Sequence, residues 1–374
     1  MTITTASEYS QVLQAIGICV SARIPVLLWG DPGEGKTSMI ESARASGWDV
    51  ESVIISQSEP SDLAGLPIVG DGNSVTLAPP AWAKRLAESD RQSICFFDEF
   101  STAQPSLQAA ALRILTHGEV GALQLPASVA FIAAANPIDV AAAGWELAAP
   151  TASRFVHLNF NMPLEVFSEG SVTGVWPALP VYEPPADFAA RQAAEMAHIA
   201  GFLRVRESQL SVIPKDAAGR GRAFPTPRTW TFAGSLAALA AAVGASNEVV
   251  RLLVAGCIGE ATAHEYLTWR SNLDLPDPDD LLDGMEVDFS TLRADRVYVI
   301  LQSVLVAVRH NADSGRWTSA VKLCAQAGEQ VGLDPAIPAV RALMREDVRP
   351  LNAAVPSEVL AFAPALKMAG LLGG

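Results

Sequence analysis

Charge is scarce in this chain, and lysine scarcer still. Of 374 residues 18% are charged and five are lysine, and the net charge is −14. Neutralising a phosphate backbone takes clustered Lys and Arg, so the balance argues against a long nucleic-acid track while leaving room for a local basic channel. Cysteine is also sparse. Cys19, Cys95, Cys257 and Cys324 are far apart and form no C-x-x-C pair, which reads as four small core residues in a reducing compartment. The five histidines show no metal-ligand spacing. The N-terminus, MTITTASEYS, has neither the charged nor the apolar region of a secretion signal. One stretch, Thr229–Asn247, carries no charge over nineteen residues and nominally reaches membrane length. It is mostly Ala, Gly and Ser, however, and so reads as a buried helix. These absences together predict a cytoplasmic protein that does not enter a membrane.

What the chain does contain is apolar: half of its residues are hydrophobic, enough for a substantial core in two or three domains. The organising stretch is VLLWGDPGEGKT, residues 26–37. Val26–Trp29 reads as a buried parallel strand that breaks at Gly30. From Gly30 onward the residues fit the phosphate-loop pattern G-x-x-x-x-G-K-[ST], with Gly30, Gly35, Lys36 and Thr37 at the set positions. A chance match in a chain this long is on the order of one per cent. Glycines let the backbone wrap a polyphosphate with N–H groups pointing inward, and the helix after the loop adds its positive N-terminal pole. The residues expected to cradle the nucleotide are Gly30, Asp31, Pro32, Gly33, Glu34, Gly35, Lys36, Thr37 and Ser38. Lys36 reaches the β- and γ-phosphates, and Thr37 gives its hydroxyl to Mg²⁺.

Around this loop, short apolar strands alternate with helices, the pattern of an α/β parallel sheet sandwiched by helices. A lead-in helix is expected over 7–22, a helix over Thr37–Ser46, and strands at Val50–Ser56, Ser93–Phe97, Val129–Ala135 and Phe155–Phe160. Leu66–Val69 and Ser74–Leu77 flank Gly70–Asn73 as a hairpin, and Glu119–Leu125 suggests a second. Helices are expected at Ala81–Glu88 and Ser106–His117. The prolines of Gly170–Pro185 favour extended chain. From Asp187 the pattern is helical to about Arg270, and three or four further helices come after residue 290. The acidic run Asp274–Asp288 fails the twelve-residue calcium-loop pattern, since it would place Leu281 at a ligand position. The resulting division is a nucleotide-binding α/β core over 1–165, a Pro-rich linker over 166–187, a helical lid over 188–285 and a C-terminal helical extension over 286–374.

Hydrolysis of ATP needs more than a phosphate cradle. A second acid must help hold Mg²⁺, a base must orient water, and positive charge must meet the γ-phosphate as it leaves. Parallel strands gather their carboxyl ends on one edge. Asp98, at the end of Ser93–Phe97, is therefore the expected metal-supporting acid, and Glu99 the base. Asn136, ending the next strand, is placed to bond the water or the γ-phosphate. Arg154 and Arg228 are the candidate cations. Lys215, Arg220 and Arg222, just before Arg228, read mostly as surface, with some scope to contact nucleotide or a neighbour.

The ordered set GDPGEGKT, FFDEF, AAANP, SRF and PTPR resembles an AAA+ ATPase, and within that family most closely the MoxR branch. DEFSTAQPSLQAAALR matches that branch after the acidic pair, and the hairpin region Leu66–Leu77 is similar to its insert. The likeness spans roughly residues 1–270; between AAANP and SRF the branch signature is only loosely kept. The resemblance implies a ring, hexameric or related, with ATP between subunits. By it Lys36 and Thr37 match Walker A, Asp98 and Glu99 match Walker B, and Asn136 matches sensor 1. Arg154 matches the arginine finger that reaches the neighbour's site, with Arg113 as the alternative, and Arg228 matches sensor 2 on the lid. It further implies remodelling of a protein client, with a von Willebrand factor A-domain protein as partner. The competing readings are a DNA-directed motor or helicase loader, a nucleotide-gated scaffold with little turnover, and a simple P-loop kinase.

Overall fold

A computed structural model describes residues 5–69, 74–137, 144–311, 313–351 and 353–371. The hairpin tip Gly70–Asn73, and residues 138–143 of the loosely matching segment between Asn136 and Arg154, lie outside the described residues. Contacts group the chain into two compact units, Met1–Pro185 with Leu210–His264, and Ala186–Gln209 with Glu265–Gly374. The helices expected to form one lid over 188–285 are thus shared between the two.

Among the described residues the first unit has nine strands: β1 Val26–Trp29, β2 Asp49–Ile54, β3 Leu66–Val69, β4 Val75–Ala78, β5 Ser93–Asp98, β6 Glu119–Val120, β7 Leu123–Gln124, β8 Val129–Ala135 and β9 Val156–Asn159. Five of them form a parallel sheet in the order β2-β5-β8-β1-β9. Strand β1 is buried at all four positions because it has a strand on each side and layers on both faces, which is why it reads as an unbroken apolar run. Register pairs Trp29 with Ala135 and with Asn159, so the chain leaves these three strands at one edge. Leu27, Trp29, Phe97, Ala133 and Ala135 pack on one face, in a cluster with Leu107, Phe155 and Phe224. The opposite face is covered by the helix Ala6–Ser21, started by a Thr5–Glu8 capping box and packed with Pro227–Ala242 and Asn247–Ile258.

Most expected elements are present, with shifted ends. The helix after the phosphate loop is α-helical only over Lys36–Glu41 and tightens to 3₁₀ over Ser42–Ser46. Strand β2 stops at Ile54, and Ile55–Gln57 turns as a 3₁₀ helix. Strands β3 and β4 pair antiparallel, Leu66 opposite Ala78, as do β6 and β7. The helix Leu164–Thr173 extends into the stretch read as linker, and chain without helix begins only at Gly174. The uncharged run after Arg228 is helical over Pro227–Ala242 and buried continuously over Ala233–Ala240. It is broken at Gly244 (φ +68°), and Ser246 caps the next helix. No helix among the described residues is long and apolar enough to cross a membrane.

The second unit is helical. Ala294–His310, Ser314–Val331 and Ile337–Leu343 enclose Phe289, Trp317 and Phe362, and the Trp317 indole donates to Leu343 O at 2.8 Å. Phe188–Val205 packs on Ala294–His310, and Trp269 donates to the Asp295 carboxylate at 3.0 Å.

Candidate functional site

The loop that leaves β1 is held against its neighbours from the first residue. Gly30 N donates to Ala135 O at 3.2 Å, and a Cβ at position 30 would lie 2.2 Å from Phe160 O, so only glycine fits there. Gly33 and Gly35 take positive φ (+87° and +80°), which turns the loop back toward the helix that carries Lys36 and Thr37. Glu34 closes its outer side by accepting from Met162 N at 2.5 Å.

Lys36 is 7% exposed. Its ammonium donates to Gly30 O at 2.6 Å, Asp31 O at 2.9 Å and the Asn136 side-chain oxygen at 3.2 Å. Burial pulls Lys36 below the usual lysine range, and the charges of Asp98, Glu34 and Asp31 act the other way. Thr37 Oγ1 donates to Asp98 Oδ2 at 2.7 Å. Glu99, next in the chain, lies in the left-handed region (φ +56°), an uncommon conformation for a residue with a side chain. Its N–H donates to Asp98 Oδ1 at 2.9 Å, and its carboxylate accepts from the Ser56 hydroxyl. Ser101 ties the two strand ends together: its hydroxyl donates to Asn136 O and accepts from Asn136 N, both at 3.0 Å. Lys36, Thr37, Asp98, Glu99 and Asn136 are therefore gathered at one edge.

Arg154 and Arg228 form a separate group. Arg154 Nε donates to Thr116 Oγ1 at 2.6 Å and Nη1 to Pro150 O at 2.5 Å. Arg228 Nη1 donates to Ser153 Oγ at 3.2 Å. The two cations are near enough that, after burial, Arg228 is the second cause lowering the Arg154 pKa. Neither forms an ion pair among the described residues. Arg113 lines the same depression as Arg154, but is engaged by Glu119 at 2.6 Å.

Residues 25–155 match the family model for the AAA domain of the dynein-related subfamily. No curated protein matches the chain. Among solved structures the chain is similar to a candidate ATPase of Cytophaga hutchinsonii, at 15% identity and TM-score 0.40, over 70% of this chain and 92% of that one. It is also similar to a full-length MCM homolog of Methanopyrus kandleri, at 19% identity and TM-score 0.37, over 68% of this chain and 57% of that one.

Two residues of this stretch fit a divalent cation. Thr37 Oγ1 and Asp98 Oδ2 are hard oxygen donors already 2.7 Å apart, the chemistry that suits Mg²⁺. Bound there with a nucleotide, the ion would neutralise charge on the β- and γ-phosphates.

Sequence reasoning missed Ser56, which ends up opposite Glu99 only because β2 pairs with β5. Its signal was faint: a hydroxyl just past a strand. Also missed was Trp29, whose indole donates to His157 Nδ1 at 3.0 Å and stacks on that imidazole, the planes 14° apart. His157 Nε2 meets Ala152 O at 2.9 Å, so the ring is neutral with its proton on Nε2. Burial, offset in part by the Ala152 bond and aided by Arg222, lowers its pKa to about 4. Lys215 is exposed and Arg220 ends the short helix Ala217–Arg220, whereas Arg222 sits over the Trp29 ring.

Proposed function

We propose that the chain hydrolyses ATP at the joint between two copies of itself and uses the cycle to remodel or activate a protein client. The observation that carries this is the separation of the charges. Lys36, Thr37, Asp98, Glu99 and Asn136 meet at one strand edge. The cations that would complete phosphoryl transfer, Arg154 and Arg228, stand together at Ser153 and bond none of the five.

In this reading Gly30–Ser38 wraps the triphosphate, Lys36 meets the β- and γ-phosphates, and Thr37 and Asp98 hold the metal. Glu99 accepts the proton of the attacking water as its oxygen bonds to the γ-phosphorus and the bond to ADP breaks. Asn136 orients that water or the γ-phosphate, and Arg154 of an adjoining copy meets the charge. A cation supplied from a neighbour accelerates phosphoryl transfer by ~10³–10⁵, so hydrolysis is conditional on assembly. Arg228, which bonds Ser153 beside Arg154, is the sensor 2 of this reading and responds to the presence of the γ-phosphate. We further assign the chain to a hexameric or related ring of MoxR type in the cytoplasm, with a von Willebrand factor A-domain protein as partner. The motif order and the net charge of −14, which suits a protein client better than a nucleic acid, support this.

The test is turnover against protein concentration for the parent, Glu99→Gln and Arg154→Ala. Rate per chain should rise with concentration in the parent. Both variants should fall by about 10³ or more while still binding ATP. A parent whose rate per chain is flat down to the monomer, with Arg154→Ala unimpaired, would refute the shared site. Strong stimulation by single-stranded or duplex DNA would favour the DNA motor.

A further inference from the structure

An arginine lent to a neighbour works only if its guanidinium is already in place when the nucleotide arrives. Thr116 is the last residue but one of the helix Pro105–His117 and is exposed at its C-terminal end. Its Oγ1 accepts from Arg154 Nε at 2.6 Å, and Pro150 O accepts from Arg154 Nη1 at 2.5 Å. Nη2 has no partner among the described residues, so one arm of the guanidinium fork is left for a ligand. Thr116 and Arg154 line one depression of about 530 Å³ together with Arg113 and Glu119. Glu119 is taken up by Arg113 at 2.6 Å and does not pair with Arg154. The acceptors that hold Arg154 are thus a hydroxyl and a carbonyl, both neutral. A carboxylate at position 116 would neutralise the cation and compete with a phosphate for it, whereas a hydroxyl fixes the side chain and leaves its charge intact. The helix that carries Thr116 turns its negative pole toward the same place, which favours a cation there.

We propose that Thr116 is a positioning residue for phosphoryl transfer in the adjoining copy: its hydroxyl fixes Arg154 Nε so that Nη2 is presented to the γ-phosphate the neighbour holds. This rests on the shared-site reading above. Thr116 touches neither nucleotide nor water in this scheme and acts only through Arg154. A long side chain ordered beforehand loses less freedom on meeting the phosphate, so the benefit falls on the rate of the chemical step and not on nucleotide affinity. The effect belongs to the copy that lends the arginine, not to the copy that binds ATP.

The test compares the full-length parent with Thr116→Val, which keeps the shape and removes the acceptor, and with Thr116→Ser, which keeps the acceptor. At saturating ATP, Thr116→Val should turn over about tenfold more slowly while binding a non-hydrolysable ATP analogue with Mg²⁺ within about twofold of the parent by calorimetry. Thr116→Ser should recover about half the parent rate or more. Mixing then assigns the copy. In equal mixture with Glu99→Gln, Thr116→Val should rise to about a quarter of the parent rate, because joints in which it holds ATP borrow an intact Thr116–Arg154 pair. In equal mixture with Arg154→Ala it should show no gain over the average of the two proteins, since no joint then has a correctly held arginine. The reverse pattern would place Thr116 with the nucleotide of its own chain and overturn the proposal. An equal loss in Thr116→Ser would make the residue merely structural. A parent whose rate per chain does not depend on concentration would bring down the shared site and this inference together; a parent that passes that test, with Thr116→Val unimpaired, would bring down this inference alone.

Discussion

His157 shows how far a single residue's chemistry is set by what packs on it. Its sequence neighbours mark it only as an inward or outward position on a strand. In the fold it accepts from Trp29, meets Ala152 O and feels the charge of Arg222, and its pKa falls from 6.5 to about 4. The unfolded chain therefore binds the extra proton first. Stability should be unaffected by this group above about pH 6.5 and should fall as pH drops from there toward 4. The loss is on the order of 2 kcal/mol, allowing for the part of the residue that reaches solvent. Urea midpoints between pH 7 and pH 5 should move more in the parent than in His157→Gln, and parallel curves would show the ring to be hydrated. At this scale the phosphate loop was legible because its chemistry is contiguous: Gly30, Lys36 and Thr37 lie within eight residues. Ser56 and Arg222 were not, since each takes its place from a partner distant in sequence, Glu99 and Trp29.

Among the elements, the strands of the sheet announced themselves as short apolar runs, because a parallel strand covered on both faces has no polar side to show. Ends were less legible. Tertiary contacts decide where a helix tightens to 3₁₀ or a strand gives way to a turn, as after Glu41 and Ile54. Close packing of helix on strand was not legible at all. The helix Asn247–Ile258 lies on β9 through Gly256, where an added Cβ would fall 2.7 Å from His157 O and 2.8 Å from a Val156 methyl. The His157 carbonyl cannot yield without moving backbone. Gly256→Ala should therefore destabilise the protein by about 1–3 kcal/mol despite the higher helix propensity of alanine, read as a lowered urea midpoint. A neutral or raised midpoint would mean that the helix can slide on the strand.

For the whole molecule, the central question is which copy supplies which part of the site. If Glu99 acts in the chain that holds the nucleotide and Arg154 in its neighbour, the two inactive variants should complement each other. In an equal mixture of Glu99→Gln and Arg154→Ala, a working joint needs the Arg154→Ala chain to hold ATP and the Glu99→Gln chain to lend its arginine. Random assembly gives about a quarter of joints that arrangement, so turnover should recover to about a quarter of the parent rate. No recovery, with assembly demonstrated by light scattering, would place both residues in one and the same site.

The amino-acid sequence alone determined the sheet-and-helix class, the phosphate loop and the acids that end a buried strand, because each is written in neighbouring residues with a local physical reason. Only the tertiary structure decided which distant groups share a site. Parallel pairing set Asp98 against Thr37, Ser56 against Glu99 and Asn136 against Lys36, and packing of the chain after Leu210 set Arg228 beside Arg154 and Arg222 on Trp29. Hydrogen bonds and charge act over a few ångströms, and proximity at that range is a property of the folded chain.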